Sequence, residues 1–283
     1  MFKKVGLVEK VVLYALLSGI GVALIIPFIY MISISLASGE TVAKMEFTIW
    51  PREFTWHNFV ELFSNAQILN YFKNSIILVI FAIIGQVLSS SFVAFGFSRL
   101  NGKGKNFLFL VLLSTMMIPG QITMIPQFII FSELGWLNTL LPIIVPNFFA
   151  SAFNVFLLRQ FMSRIPRELD EAAKIDGLGY FGIYWRIMLP LLKPILIAVA
   201  IFTFNANWGL FMEPLIYIND VEKMPLALGV QILSSTFSSQ AVPPWNIVMG
   251  ASLLLTVPML LVFFFGQKYM FEANINSGSS GSK

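Results

Sequence analysis

Long apolar runs alternate with short polar joints along this chain. Six runs stand out, over 11–37, 75–97, 107–131, 140–161, 191–217 and 245–267. Each supplies about 20 or more mostly apolar residues, the length a helix needs to cross a hydrocarbon layer about 30 Å thick. A segment in lipid must satisfy its own backbone hydrogen bonds, so such runs are helices. The pattern predicts an all-α membrane protein with six transmembrane helices. The first run follows Lys3 and Lys4 and ends at Leu36-Ala37-Ser38, which looks like a secretory leader. It is far longer than the roughly 7–15 apolar residues of a leader core, and is read as an uncleaved membrane helix.

The joint between the fourth and fifth runs breaks the rhythm. Residues 171–190 read EAAKIDGLGYFGIYWRIMLP, far more polar than a tight turn between membrane helices requires. Glu171, Lys174 and Asp176 are charged, Ala172 and Ala173 are small, and Gly177 stands where a first short helix would stop. A second short amphipathic segment covers 180–189 before Pro190. Two short helices with a glycine break form a knob in the aqueous phase, suited to holding a soluble partner.

Composition agrees with the bilayer as solvent. Hydrophobic residues make up 57% of the chain and charged residues 11%, with a mean hydropathy of +0.82; soluble domains carry about 25% charge. The absence of Cys excludes disulfides, zinc–thiolate sites and thiol catalysis. The single histidine, His57, cannot build a metal cluster alone. The net charge of +4 comes from basic residues at helix ends, not from one nucleic-acid-binding face. Asn101-Gly102-Lys103-Gly104-Lys105 lacks the phosphate-loop spacing and reads as a basic turn. No catalytic residue and no metal site are nominated.

Charge also sets orientation. With the N-terminus inside, only Lys44, Arg52, Lys73 and Lys223 of the 18 Lys and Arg lie outside. Both termini and the insert are then cytoplasmic. The expected division is an N-terminal segment (1–10), a first helix with its outer loop (11–74), a core with an insert at 162–190 (75–270) and a disordered tail (271–283). The outer loops are 38–74, with Trp50, Pro51, Trp56 and His57, and 218–244, with Asp220, Glu222, Lys223 and a polar run over 234–240.

Polar groups inside membrane runs are candidate solute contacts. The fifth run carries Asn205, Asn207, Trp208 and, near its outer end, Glu213. Amides can hydrogen-bond a polar solute and an indole face can stack on an apolar ring face; the other reading is interhelical bonding and an interfacial tryptophan anchor. In the third run Pro119, Gln121, Thr123, Pro126 and Gln127 mark a broken or kinked segment, and Ser151 and Asn154 are further candidates in the fourth.

The insert fits the pattern EAA, three residues, Gly, nine residues, Ile-x-Leu-Pro, through Glu171-Ala172-Ala173, Gly177, Ile187, Leu189 and Pro190. This resembles the coupling loop of ATP-binding-cassette importer permeases. MIPGQITMIPQFIIFSELGWLNT (117–139), FLLRQFMSRIPRELDEAAKIDG (156–177) and LPLLKP (189–194) resemble the carbohydrate-uptake branch, the maltose and glycerol-phosphate type. The likeness covers roughly 70–270. It departs at Trp208-Gly209, where the family often has Trp-Asn, and at the tail EANINSGSSGSK, which differs from the family's Gly-Ala-Val-Lys-Gly-like end.

The resemblance implies a type I permease in a bacterial-type inner membrane. It implies a second homologous permease subunit, two ATPase subunits that bind ATP and Mg2+, an extracytoplasmic solute-binding protein and a sugar, oligosaccharide or polyol as solute. No cofactor belongs to this chain itself. Ala172 and Ala173 would seat the first loop helix in a cleft of the ATPase, and Glu171 would pair with a basic group there. Asp176 would cap the loop or bond the partner, and Gly177 would allow the turn. Ile187 and Leu189 would pack the second loop helix onto the membrane helices, and Pro190 would set the entry to the fifth. The alternatives are an importer of a non-sugar solute, an ion-driven secondary transporter and a receptor or scaffold.

Overall fold

The computed structural model describes residues 6–44, 50, 53–238 and 244–278. Expectations resting on Lys3, Lys4, Pro51, Arg52, Ser239, Gln240 and Lys283 lie outside them. The helices are α1 (Leu7–Ser35), α2 (Gly39–Ala43), α3 (His57–Ser64), α4 (Ala66–Arg99), α5 (Lys105–Ser114), α6 (Gly120–Glu133), α7 (Leu141–Ile144), α8 (Ala152–Met162), α9 (Glu168–Ile175), α10 (Tyr180–Ile183), α11 (Leu189–Leu191), α12 (Lys193–Trp208), α13 (Met212–Tyr217), α14 (Leu226–Ser238) and α15 (Trp245–Gly278). Among the described residues the only extended pairing is one antiparallel bridge, Ala37 with Phe54. The fold is all-α.

Among the described residues, four stretches are long and apolar enough to cross a membrane: Leu7–Ser35, Ala66–Arg99, Leu141–Met162 and Trp245–Met270. Two further candidates are bent pairs, Lys105–Met117 with Gly120–Glu133 at 97°, and Tyr180–Leu191 with Lys193–Trp208 at 79°. All six apolar runs are thus largely helical, but three are interrupted. The third breaks where Ile118 and Pro119 turn extended, with ψ of 114° and 132°; proline donates no N–H and pushes the residue before it out of the helical region. In the fourth, a 3₁₀ turn over Val145–Phe148 and extended Phe149 and Ser151 separate α7 from α8. The fifth, expected over 191–217, ends as α12 at Trp208 and resumes as the separate α13.

The expected outer loops are more helical than their polarity suggested. α4 begins at Ala66 because Asn65 caps it, its Oδ1 accepting from the N–H groups of Gln67 (3.0 Å) and Ile68 (3.4 Å). Residues 218–244 contain α14, whose first N–H, that of Leu226, donates to Ser75 Oγ at 2.8 Å. At the other end α15 continues to Gly278, the first glycine after Gly266, so the tail expected to be disordered begins as helix; residues 279–283 lie outside the described ones.

The chain divides into two compact units. The first holds Met1–Ile68 and Val230–Thr256. In it α1 is apolar on all sides beyond Lys10 and mostly exposed until Ser33, Ile34 and Ser35, as a lipid-facing helix should be. Asn58 ties its end down, donating to the carbonyls of Ser35 (2.8 Å) and Ala37 (2.9 Å) and accepting from Asn246 (2.8 Å). The second unit holds Leu69–Gly229 and Val257–Lys283. Its core joins Phe95 of α4, Leu158 and Met162 of α8, Ala173 of α9, Met188, and Ile195 and Ala198 of α12. The insert is therefore built into the core of this unit.

Candidate functional site

Two features of the second unit stand out, the polar insert and a small polar cavity. The insert begins with α9, whose first turn holds Glu168, Asp170 and Glu171 and whose last holds Lys174, complementing the helix dipole at both ends. It ends in a Schellman turn. Gly177 sits at φ +85°, its N–H donates to Lys174 O (3.0 Å) and that of Leu178 to Ala173 O (2.9 Å). Asp176 is the helix's C-cap residue and is exposed.

Asp170 and Ala173, one turn apart, face inward and are buried. Both alanines were expected to seat against a partner. Ala173 instead packs into this chain's own core, where a larger side chain would hold α9 away, and only Ala172 faces out. Glu171, Ala172 and Lys174 share the outer face with Ile175, which is 87% exposed. Past the turn, Phe181 and Trp185 are also exposed and stack at 6.3 Å between centroids. Sequence reasoning missed this apolar tip. Its signal was Ile175, three residues after Ala172 on the same face of a polar helix.

The second half of the insert is α10, a π-turn over Tyr184–Met188, and α11. Pro190 has no N–H for the carbonyl of Arg186, and the backbone widens there. Ile187 and Leu189 are partly buried against the core, on either side of the fully buried Met188. The Tyr184 hydroxyl lies 2.8 Å from Ser91 Oγ of α4. A buried ion pair, Arg99 Nε to Asp170 Oδ2 at 3.3 Å, joins the end of α4 to α9.

The cavity holds about 240 Å³ and is lined by Gln86, Asn147, Ser151, Phe153, Asn154, Phe202, Thr203, Ala206 and Asn207, none of them charged. It exists because the fourth run is interrupted. Gln86 of α4 serves the interruption, its Oε1 accepting from Ser151 N–H (3.3 Å) and Asn154 Nδ2 (3.1 Å). Asn147 Nδ2 donates to Ile143 O (2.8 Å) and to Asn207 Oδ1 (3.4 Å), while Asn207 Nδ2 donates to Thr203 O (2.8 Å). Gly85 lets this turn come close, because a Cβ there would sit 2.8 Å from the carbonyl oxygen of Asn147.

Of the candidate solute contacts, the structure brings Ser151, Asn154 and Asn207 together. Asn205 lies two residues from Asn207, about 200° around the helix, and does not line the cavity. Trp208 is buried, stacked on Phe204 at 5.4 Å and edge-on to Phe72 at 5.8 Å, so its indole face is already occupied. Gln121 is exposed on α6, past the Pro119 break, and also lies outside the cavity. Gln86 and Asn147 were missed; a lone glutamine after Gly85 in the apolar second run was their clearest signal.

A family model described as "Binding-protein-dependent transport system inner membrane component" matches residues 86–272. The chain belongs to this family. The permease is similar to Protein LplC of Bacillus subtilis, 33% identical over 94% of this chain and 92% of that protein. It is also similar to the arabinooligosaccharides transport system permease protein AraQ of Halalkalibacterium halodurans, 32% identical over 82% of this chain and 81% of that protein. Its fold matches a crystal structure of a bacterial ABC transporter involved in import of the acidic polysaccharide alginate. The TM-score is 0.83, covering 95% of this chain and 99% of that one, at 21% identity. The resemblance read from the insert is thus confirmed, and the permease is a multi-pass inner-membrane transport component.

Proposed function

We propose that this permease couples ATP hydrolysis by two partner ATPase subunits to the import of a neutral, hydroxyl-rich solute, a sugar, oligosaccharide or polyol. It pairs with a second homologous permease subunit and receives solute from an extracytoplasmic binding protein. ATP and Mg2+ belong to the ATPases. The insert and both termini face the cytoplasm, following the bias of Lys and Arg.

The observation that carries this reading is the two-sided α9. Ala173 packs its inner face into the permease core, with Asp170 buried beside it, while Glu171, Ala172 and Ile175 project outward, with an apolar tip that a soluble partner would cover. The test is co-purification of the ATPase on tagged permease. Glu171→Lys replaces a charge-assisted contact, worth about 1.5–3 kcal/mol, with a repulsive one, so retention of the ATPase should fall roughly tenfold or more. Retention equal to wild type would remove Glu171 from the joint.

The cavity supports the solute class, since amides and a hydroxyl line it and no charge does. An ion-driven transporter would place an ionisable group in such a site. Asn207→Ala is expected to raise the solute concentration for half-maximal stimulation of ATPase activity by roughly threefold to tenfold, the worth of one hydrogen bond. An unchanged concentration across a sugar panel would make Asn207 a packing residue only.

A further inference from the structure

Arg99 is the last residue of α4 and its side chain is almost wholly enclosed, 3% exposed. It touches all three parts of the insert. Its Nη2 donates to Ile165 O in the entry loop at 2.9 Å and approaches Met188 Sδ, before α11, at 3.9 Å. Its Nε faces Asp170 Oδ2 of α9 at 3.3 Å. The contact with Asp170 is ionic without being a good hydrogen bond, since Arg99 Nε and Asp170 Oδ1 both lack a hydrogen-bond partner. A buried pair left so incompletely satisfied is poor cement, and two apolar residues of similar volume would hold the fold as well or better. What the pair provides is a directional link between α9 and α4.

α4 leads directly to the cavity. Gln86, which holds the interrupted fourth run, lies on the same unbroken helix as Arg99, about 20 Å away along its axis at 1.5 Å per residue. We propose that the Arg99–Asp170 pair is the joint through which the insert moves α4, so that a displacement of α9 by the ATPase reaches Gln86 and reshapes the cavity. Arg99 and Asp170 are positioning residues: they touch neither solute nor nucleotide. The inference rests on the importer reading above.

The permease contains no cysteine, so Ala206→Cys, on the cavity wall, makes a single-site reporter. Its labelling by a charged, membrane-impermeant maleimide is followed in the full complex, nucleotide-free and with ATP plus vanadate. With Arg99 and Asp170 intact, the labelling rate should change about fivefold or more between the two states. In Arg99→Met/Asp170→Leu, which removes both charges and leaves no orphan, the complex should still assemble and hydrolyse ATP, but the change should fall below about twofold. Arg99→Lys keeps the charge without the fork that spans Ile165 and Asp170, and should also blunt the change in assembled complex. A full fivefold change in both variants would overturn the proposal and leave the pair a structural tie. No retained ATPase and no nucleotide-dependent change with the pair intact would overturn the importer reading itself, and the joint with it.

Discussion

Gly177→Val should strip the permease of its ATPase while leaving the membrane helices folded. Gly177 sits at φ +85°, a region that costs an ordinary L-residue about 1–2 kcal/mol and a β-branched one more. The substitution also endangers both bonds of the Schellman turn, from Gly177 N–H to Lys174 O and from Leu178 N–H to Ala173 O. No neighbouring atom would crowd a new Cβ, with nothing within 4 Å, so the effect is conformational rather than steric. The damage falls on the insert's outer face, because the turn sets the direction in which the chain leaves α9, with its exposed Ile175, for the segment that carries Phe181 and Trp185. Retention of the ATPase on tagged permease should fall about tenfold or more, with little change in detergent-solubilised yield. Gly177→Asn, which tolerates the left-handed region, should recover most of it. ATPase retention by the valine variant equal to wild type would refute the turn argument.

Gly85→Ala should disable the cavity by adding one methyl group. The new Cβ would lie 2.8 Å from the carbonyl oxygen and 2.9 Å from the carbonyl carbon of Asn147, both backbone atoms that cannot rotate aside. Either α4 retreats or the 3₁₀ turn shifts, and the 3.4 Å contact between Asn147 and Asn207 goes with it. Overpacking of this kind costs about 1–3 kcal/mol. Thermal stability should drop, and sugar-stimulated ATPase activity should fall by about tenfold or more across a sugar panel. Gly96→Ala, on the same helix with nothing within 4 Å, controls for helix propensity and should be neutral or slightly stabilising, by about 0.5–1 kcal/mol. Full sugar stimulation in Gly85→Ala would show that the close approach at Asn147 is not needed.

The six runs and the two-helix insert were legible in the sequence because their causes are local: apolar length, glycine and proline. The segment around Pro119 was legible as broken or kinked but not which of the two, and the interruption of the fourth run was harder to read. A proline kinks some helices and breaks others, and the outcome depends on what satisfies the freed backbone groups. For the fourth run that partner is Gln86, more than sixty positions upstream. Nothing local to Asn147 or Ser151 announces it. The same limit explains Ala173 and Trp208. Their residue types suit a docking face and a sugar platform, but which way each side faces is fixed by helix phase against Met188 and Phe72, contacts that arise only on folding. Asp170 stood beside the recognised motif and was passed over, because its partner Arg99 lies at the far end of another helix. α14 was missed because its polar end, around Ser234 and Ser235, resembles a loop, and Ser75 supplies the bond at its start.

The uncharged cavity and the charged insert are two features of the same unit under different physical control. Dissolved ions act on Glu171, Lys174 and Asp176, which stand in water at the surface; fields between such groups fade within about 8 Å at physiological salt. They have no charge to act on among the amides around Asn147 and Asn207. If the insert docks the ATPase and the cavity receives the solute, as proposed, salt in the cytoplasm would tune how firmly the engine is engaged, while recognition of the cargo would be insulated from it.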